Sequence, residues 1–428
     1  MSIPDPTTRR SILALSLIGS FGVNSMYGLV YRNGYIDALL RLREYGPHVL
    51  PGSNIPILTR FTGIGLLDKA LVLAGVMFAN ITDGSAPQLS LYGFQFAGQL
   101  VPLYTVLMIE AARRGNKGNI MSLAVLWGCA TQGLGYGFTM PIYAIVHLLC
   151  SPTAASMAPA VAQKIRLQST DLLEGLVPSM ILGYIIPTVL MAIPFRSHVL
   201  HQWLGGLWQG YPVWVSLIHY GIKVVRSRRA NKSNEPKPPD TTTANGTGTR
   251  SYAARIDEEM TLHRAYLFAF AVSASTNITT FSILASCKLF PSLFPSHILT
   301  ALTLKSVFIP PPFWSRAPMP NMAVGILNFF QYDQYVGSTA AIVWAVALRI
   351  KARKQAMSLE SWLWLAGEIF GIAFVAGPGA ALVSLVWNRD EMVLNDDKLF
   401  ETVEAPAAVD VESRALIDAD SEDPNHSS

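Results

Sequence analysis

The sequence predicts an all-α fold, a polytopic integral membrane bundle of about eight to nine transmembrane helices, each with the roughly 20 apolar residues that a bilayer requires. Of the 428 residues, 51% are hydrophobic and only 14% are charged, whereas an ordinary soluble domain carries about 25% charged residues. The mean hydropathy is +0.34. The net charge of +4 is small and not gathered into a nucleic-acid-binding surface. These values argue against a soluble enzyme and against a long disordered protein.

Nine apolar segments are candidates for crossing the bilayer. They are Ile12–Val30, Phe61–Ile81, Gly93–Ile109, Ile120–Leu149, Leu176–Ile193, Trp203–Tyr220, Ala265–Cys287, Asn321–Leu348 and Ser361–Trp387. The first follows Arg9 and Arg10 but is longer than the apolar part of a signal peptide, so we predict an anchor helix. The stretch Ile298–Ile309 is too short to span and is followed by three prolines, which predicts a re-entrant or interfacial segment.

These segments divide the chain into four regions. Residues 1–222 form a first membrane half of about six spans, and residues 264–388 form a second half of about three spans with the re-entrant segment. Residues 223–263 are polar and rich in Lys, Arg, Pro and Thr, which predicts a disordered linker loop. Residues 389–428 are predicted to be an acidic, mobile tail. No internal repeat relates the two halves, which disfavours the transporter folds built from inverted repeats.

The distribution of basic residues predicts an orientation, but with one conflict. Arg113–Lys117 and Arg349–Lys354 indicate cytosolic loops, and residues 83–91, without Lys or Arg, indicate a lumenal one. The linker is also basic, yet three predicted spans separate it from Lys117. Either one span between residues 120 and 220 is wrong or re-entrant, or the charge rule fails. Glycosylation sequons begin at Asn80, Asn231 and Asn245. We weigh the charges above the sequons and predict a cytosolic, unglycosylated linker.

No metal or cofactor motif is present. The three cysteines lie in or beside apolar stretches, which disfavours a disulfide framework or a zinc site. The pair Asp396 and Asp397 has Phe400 where a magnesium-binding DDxxD motif needs a third acid, and His198 and His201 lack a third ligand. The sequence therefore predicts no metal and no redox cofactor.

Several polar side chains lie inside the predicted spans, where a carboxylate costs at least about 2.5 kcal/mol. The candidate catalytic acids are Glu368, Asp333 and Asp68, and the candidate substrate-lining residues are Phe329, Phe330, Tyr332, Tyr335, Gln95 and Gln99. Structural alternatives remain open: Asp68 can pair with a basic side chain, the glutamines can join helices, and Gly367 and Gly371 around Glu368 can serve helix packing. Glu110 is followed by Arg113 and Arg114, which favours an ion pair.

A buried carboxyl group without a cation favours its neutral form and can act as a general acid. Aromatic faces around it tolerate a developing cation. This combination suits protonation of an alkene or epoxide followed by carbocation cyclisation, and it suits a proton-coupled transporter equally well.

The runs Trp362–Phe370, Ala376–Ala381 and Trp387–Glu391 resemble the C-terminal span of fungal membrane-bound terpene cyclases of meroterpenoid pathways, of the ascofuranone and ascochlorin type. The resemblance implies cyclisation of the epoxidised farnesyl chain of a prenylated phenol, without metal or redox cofactor. It implies an enzyme of the endoplasmic reticulum membrane, whose partners are its lipophilic substrate, membrane lipid and other pathway enzymes, with no nucleic acid.

On physical grounds, Glu368 or Asp333 would protonate the epoxide, the four aromatic residues would shield the cation, and Asp68 would accept the last proton. The rival hypotheses are a secondary transporter or exporter of a similar metabolite and a non-catalytic membrane scaffold for pathway enzymes.

Overall fold

The computed structural model describes residues 5–155, 159–233, 246–353 and 356–394. Within these residues the protein is helical, with two isolated β-bridges and no strand. The all-α prediction is confirmed.

The helices before the middle of the chain include several short ones. They are α1 (Pro6–Val23), α2 (Leu29–Arg32), α3 (Tyr35–Glu44), α4 (Gly65–Thr82), α5 (Pro87–Ala111), α6 (Ala124–Leu134), α7 (Tyr136–Cys150), α8 (Pro159–Ile165), α9 (Asp171–Glu174) and α10 (Leu176–Met180). A π-helical turn, Asn24–Gly28, joins α1 to α2, and another, Ile181–Ile185, follows α10.

The remaining helices include the longest ones. They are α11 (Ile186–Ala192), α12 (His198–Gln209), α13 (Tyr211–Ser233), α14 (Gly246–Leu289), α15 (Ser296–Ala301), α16 (Leu304–Phe308), α17 (Met322–Ala352), α18 (Leu359–Ala376) and α19 (378–394). The short helices α15 and α16 occupy the region where the sequence predicts a re-entrant or interfacial segment.

Five helical segments are apolar and long enough to cross a membrane. They are Pro6–Arg32, α4, the part of α14 from Arg255 to Leu289, α17 and α18. These five segments support membrane association. They are fewer than the roughly eight to nine spans that the sequence predicts.

Helix α5 lies at the centre of the bundle and is buried along most of its length, from Leu89 to Glu110. It packs closely against α14, since a Cβ atom on Gly98 would overlap the side chain of Thr276. Helix α17 packs between α1 and α7. The buried core therefore runs along α5 and α17.

The predicted span Ile120–Leu149 is two helices in the structure. Helix α6 ends before Gly135, which adopts φ +84° and ψ +153°, and α7 begins immediately after it. The rings of Trp127 and Tyr143, on opposite sides of this break, lie 5.1 Å apart. Helices α6 and α7 therefore run antiparallel as a hairpin, and each is shorter than the roughly 20 residues that a crossing needs.

The predicted span Ser361–Trp387 is divided in the same way. Gly377, between α18 and α19, adopts φ +92° and ψ +158°. Asn388 of α19 donates a hydrogen bond to Glu368 of α18 at 3.1 Å, so these helices also fold back on each other. Hydropathy does not distinguish such a hairpin from one long span, because both are continuously apolar.

Several loops meet at one end of the bundle, which we call the basic end (Arg113–Lys117, Arg166 and Arg226). Arg166 pairs with Glu258 of α14 at 3.3 Å, and Arg226 of α13 pairs with Glu174. The loops after α5 and α8 thus lie together with the C-terminal part of α13. These basic residues lie at one end of the helical bundle, because the α6–α7 hairpin returns the chain to the end from which it came.

Both termini of the described chain also approach the basic end. The Asp5 carboxylate accepts a hydrogen bond from the amide of Thr8 at 2.9 Å and pairs with Lys351 of α17 at 3.0 Å. Partial burial opposes ionisation, but the bonds from Thr8 and Lys351 outweigh it and lower the pKa of Asp5 to about 2. At the other terminus, α19 ends beside α8, where Val393 and Val161 belong to one hydrophobic cluster.

The predicted linker differs from expectation at both of its ends. Residues 223–233 continue α13 and residues 246–263 belong to α14, whereas residues 234–245 lie outside the described residues. Of the predicted acidic tail, residues 389–394 continue α19 and the rest lies outside the described residues.

Candidate active site

A cavity of about 1120 Å³ lies between α3, α4, α5, α6, α11, α12 and α17. We call it the chamber. Ligand pockets usually measure about 300–1,000 Å³, so the chamber can hold a molecule larger than a typical drug. Thr82 and Gly84, at the loop after α4, contribute to its wall, which places the chamber in the half of the bundle away from the basic end.

Aromatic rings form much of the chamber wall. They are Tyr27, Tyr35, Phe78, Phe94, Phe96, Tyr136, Tyr184, Trp208, Phe329 and Phe330. The ring of Phe330 lies 5.3 Å from Phe78 and 6.2 Å from Phe96, and Phe78 lies 5.2 Å from Trp208. The faces of such rings attract a cation through their quadrupoles. The chamber can therefore stabilise a carbocation.

Charged groups are scarce in this wall. Among the described lining residues, Asp333 is the sole carboxyl group, Gln132 and Gln209 are the sole amides, and there is no Lys, Arg or His. Recognition of a diphosphate normally uses cationic side chains or a bound metal ion. The wall therefore fits a neutral, lipophilic molecule.

Asp333 is positioned by the Gly135 break. Its Oδ1 atom accepts a hydrogen bond from the amide of Gly137 at 2.8 Å, at the start of α7, where the helix dipole is positive. A Cβ atom on Gly135 would lie 2.7 Å from this oxygen, so only glycine fits. The side chain is 4% exposed and, among the described residues, has no ion-pair partner. The amide of Tyr136 also donates a hydrogen bond to this carboxyl group.

The other two candidate acids lie elsewhere. Glu368 pairs with Arg349 at 2.9 Å, and its side chain is 33% exposed. Asp68 accepts hydrogen bonds from the amides of Thr62 and Gly63 at 2.6 and 3.0 Å, and so holds the loop that enters α4. Neither residue lines the chamber. Of the three acids, the structure brings Asp333 alone to this cavity.

The predicted lining residues are divided between the chamber and the packing around it. Phe329 and Phe330 line the chamber. Tyr332 and Tyr335 instead donate hydrogen bonds to the carbonyls of Pro311 and Phe308, at 2.7 and 2.5 Å, which fixes the chain after α16 against α17.

The two glutamines of α5 join helices, as the structural alternative proposed. Gln95 donates to Asn277 of α14 at 3.1 Å and accepts from Gln334 of α17 at 2.8 Å. Gln99 donates to the carbonyl of Ser273 at 3.2 Å and accepts from the amide of Gly379 at 3.0 Å. Neither contributes to the chamber wall.

Sequence reasoning missed the part of the site contributed by α6 and α12. A usable signal was the sequence Gly133-Leu-Gly-Tyr-Gly137, because closely spaced glycines inside an apolar run favour a backbone break. Gln132 and Gln209 are 77 residues apart, and nothing local in the sequence indicates that they meet.

A separate group of buried charges lies near the basic end, about 15 Å along α7 from Gly137. We call Glu110, Arg113, His147, Arg389 and Asp390 the ion cluster. Glu110 contacts Arg113 at 3.3 Å and Arg389 at 3.1 Å, and Asp390 contacts Arg113 at 2.6 Å. Both carboxylates are thus neutralised.

His147 completes the ion cluster. The indole of Trp344 donates to its Nδ1 atom at 3.2 Å, so the proton resides on Nε2 and is directed to Glu110 at 3.2 Å. Every member of the cluster is buried and paired, which is the pattern of a structural network. No group of three potential metal ligands occurs in the described part of the chain.

The helical bundle, its apolar helices and an aromatic chamber with one carboxyl group describe a membrane-associated protein with a site for a lipophilic molecule. The chain belongs to the CtvD domain family, which matches residues 8–394. The predicted family is thereby confirmed.

Individual relatives agree with this assignment. Terpene cyclase janA of Penicillium janthinellum is 29% identical over 385 residues, covering 89% of this chain and 93% of that protein. Terpene cyclase ascI of Acremonium egyptiacum is 27% identical, covering 89% and 91%. Terpene cyclase ctvD of Aspergillus terreus is 24% identical, covering 89% and 98%. No solved structure matches this chain. The comparisons confirm the prediction of a cyclase that acts on a lipophilic terpenoid.

Proposed function

We propose that this enzyme protonates and cyclises the epoxidised farnesyl chain of a prenylated phenol, and that Asp333 is the general acid. The observation that carries the proposal is a single carboxyl group, without a cationic partner among the described residues, in an aromatic chamber that also lacks cationic side chains. A neutral carboxylic acid is the form that desolvation favours there.

The proposed reaction balances as an isomerisation. The proton on the carboxyl group of Asp333 moves to the epoxide oxygen, the carbon–oxygen bond breaks, and the electron pair of a neighbouring alkene forms the new carbon–carbon bond. The last cation loses a proton, which returns to the carboxylate of Asp333, so the acid is regenerated and the product has the mass of the substrate. Asp68 is not assigned to this last step, because its oxygens already bind loop amides away from the chamber.

The test uses microsomes that contain this chain alone, supplied with a farnesyl phenol carrying a terminal epoxide. We expect a product of unchanged mass and a new ring, formed by the wild type and not by Asp333→Asn. Formation should persist in EDTA, because the donor set of the chamber suits no metal-bound diphosphate. Absence of product from the wild type, or loss in EDTA with recovery on adding Mg²⁺, would overturn the proposal.

We also infer a multi-pass protein of the endoplasmic reticulum whose basic end faces the cytosol, because short loops rich in Arg and Lys remain there. The chamber would then lie toward the lumen, and the short α6–α7 hairpin would enter the membrane without crossing it. Helix α18 is long enough to cross, and α19 would return the chain to the basic end. Glycosylation tests this orientation. A cytosolic linker is not glycosylated. Endoglycosidase digestion of microsomes should therefore cause no mobility shift that depends on the linker, and Asn231→Gln and Asn245→Gln should migrate like the wild type. A mobility shift abolished by either substitution would place the linker in the lumen.

A further inference from the structure

Two glutamines meet on the chamber wall. Gln132 lies on α6, one helical turn before Gly135, and Gln209 is the last residue of α12. The Nε2 atom of Gln132 donates a hydrogen bond to Oε1 of Gln209 at 2.6 Å. We call these two residues the amide pair.

This mutual bond leaves half of each amide unused. Within the described chain, Oε1 of Gln132 and Nε2 of Gln209 have no further hydrogen bond, and both residues line the chamber. The glutamines of α5 differ, since Gln95 and Gln99 each use both their oxygen and their nitrogen in contacts between helices. An amide that faces an apolar cavity without a hydrogen-bond partner is unfavourable, and a ligand that supplies the partner removes this cost.

We propose that the amide pair is a specificity-determining subsite that binds a neutral oxygen function of the substrate. The inference rests on the proposed function. Nε2–H of Gln209 donates to the oxygen, and Oε1 of Gln132 accepts from a hydroxyl group where one is present. A substrate of the proposed kind offers two such functions, the epoxide oxygen and the phenolic hydroxyl. Because neither amide is charged, the subsite favours these groups over a phosphate or a carboxylate.

Binding can be measured without turnover. Cys129 lines the chamber one helical turn before Gln132, whereas Cys150, at the end of α7, does not. Both are exposed, so both should react with N-ethylmaleimide. A bound probe should protect Cys129 and leave Cys150 reactive, and the probe concentration that gives half protection measures affinity.

The experiment is done in the Asp333→Asn background with three probes: the epoxy-farnesyl phenol, the corresponding alkene, and the epoxide with its phenol methylated. We expect affinity to fall by about 10-fold or more for whichever probe lacks the bound oxygen function. Gln209→Leu and Gln132→Leu should abolish that difference between probes. Loss of the epoxide preference identifies the epoxide oxygen, and loss of the preference for the free phenol identifies the hydroxyl.

A matched control is Gln202→Leu. Gln202 lies on the same helix as Gln209, but it binds the backbone of Leu58 and Pro56 and does not line the chamber. It should retain every preference between probes. The inference is overturned if the amide-pair variants keep the wild-type preferences or weaken all three probes equally. These outcomes are distinct from failure of the proposed function, which appears as absent cyclisation by the wild type while protection of Cys129 persists.

Discussion

The two hairpins that break at a glycine have the same construction but differ in the functional group that accepts the backbone amide. In each, a glycine at positive φ separates the helices, and a side-chain oxygen from a central helix accepts the amide of the residue two positions later. At Gly135 the oxygen belongs to the carboxyl group of Asp333, and at Gly377 it belongs to the amide of Gln99. The backbone therefore needs an acceptor and does not need a charge. Backbone capping does not explain why the first hairpin uses a carboxyl group. Of the two hairpins, this is the one that lines the chamber.

The strongest test of this comparison is Asp333→Asn. The Oδ1 atom of Asn can accept the amide of Gly137, as Gln99 does for Gly379, so the fold should be retained. The transferable proton is lost, and turnover should fall by the roughly 10²–10⁴-fold typical of general acid catalysis. Turnover and thermal unfolding in detergent should be measured on the same preparation. Wild-type turnover in this variant would show that the carboxyl group serves only as a helix cap.

Glu110 in the ion cluster is also a buried carboxyl group, but unlike Asp333 it is paired with cations. Glu110→Gln leaves Arg113 and Arg389 with one carboxylate between them, and breaking a buried pair in this way costs about 3–5 kcal/mol. We expect a marked loss of thermal stability, while the protein that remains folded keeps its turnover number. A fall in turnover without loss of stability would instead connect the ion cluster with the chemistry.

Substitution of the two glycines sharpens the comparison. An alanine Cβ would lie 2.7 Å from Oδ1 of Asp333 in Gly135→Ala and 2.5 Å from Oε1 of Gln99 in Gly377→Ala, both at a positive φ. Each variant should lose about 1–3 kcal/mol of stability from backbone strain. Only Gly135→Ala displaces the acid, so only that variant should also lose turnover per folded molecule. Equal turnover in the two variants would contradict the assigned role of the first hairpin.

The smallest effect is expected for Glu368→Gln. The side chain is one-third exposed and paired with Arg349, and such pairs contribute about 0–1 kcal/mol. Stability should change within that range, and turnover should stay close to that of the wild type. A loss of turnover as large as that predicted for Asp333→Asn would return Glu368 to the list of catalytic acids.

The sequence predicted the helical class, because composition is a local property. It also singled out Asp333, Phe329 and Phe330, which line the chamber, whereas their roles stay a prediction. It did not predict the hairpins, since apolar length carries no information about chain direction. It also could not separate Asp333 from Glu368, because an arginine 19 residues earlier determines the surroundings of the latter. The amide pair depends on contact between distant helices and has no local signal.

The α18–α19 hairpin has a practical consequence for labelling. Because it turns back at Gly377, the last described residues lie at the same face as Asp5, the first described residue. In the proposed membrane topology, complementary fragments of a split fluorescent protein, fused before residue 5 and after residue 394, would emerge into one compartment and could reassemble on a single molecule. Had α18 and α19 formed one crossing, the two fragments would be separated by the bilayer.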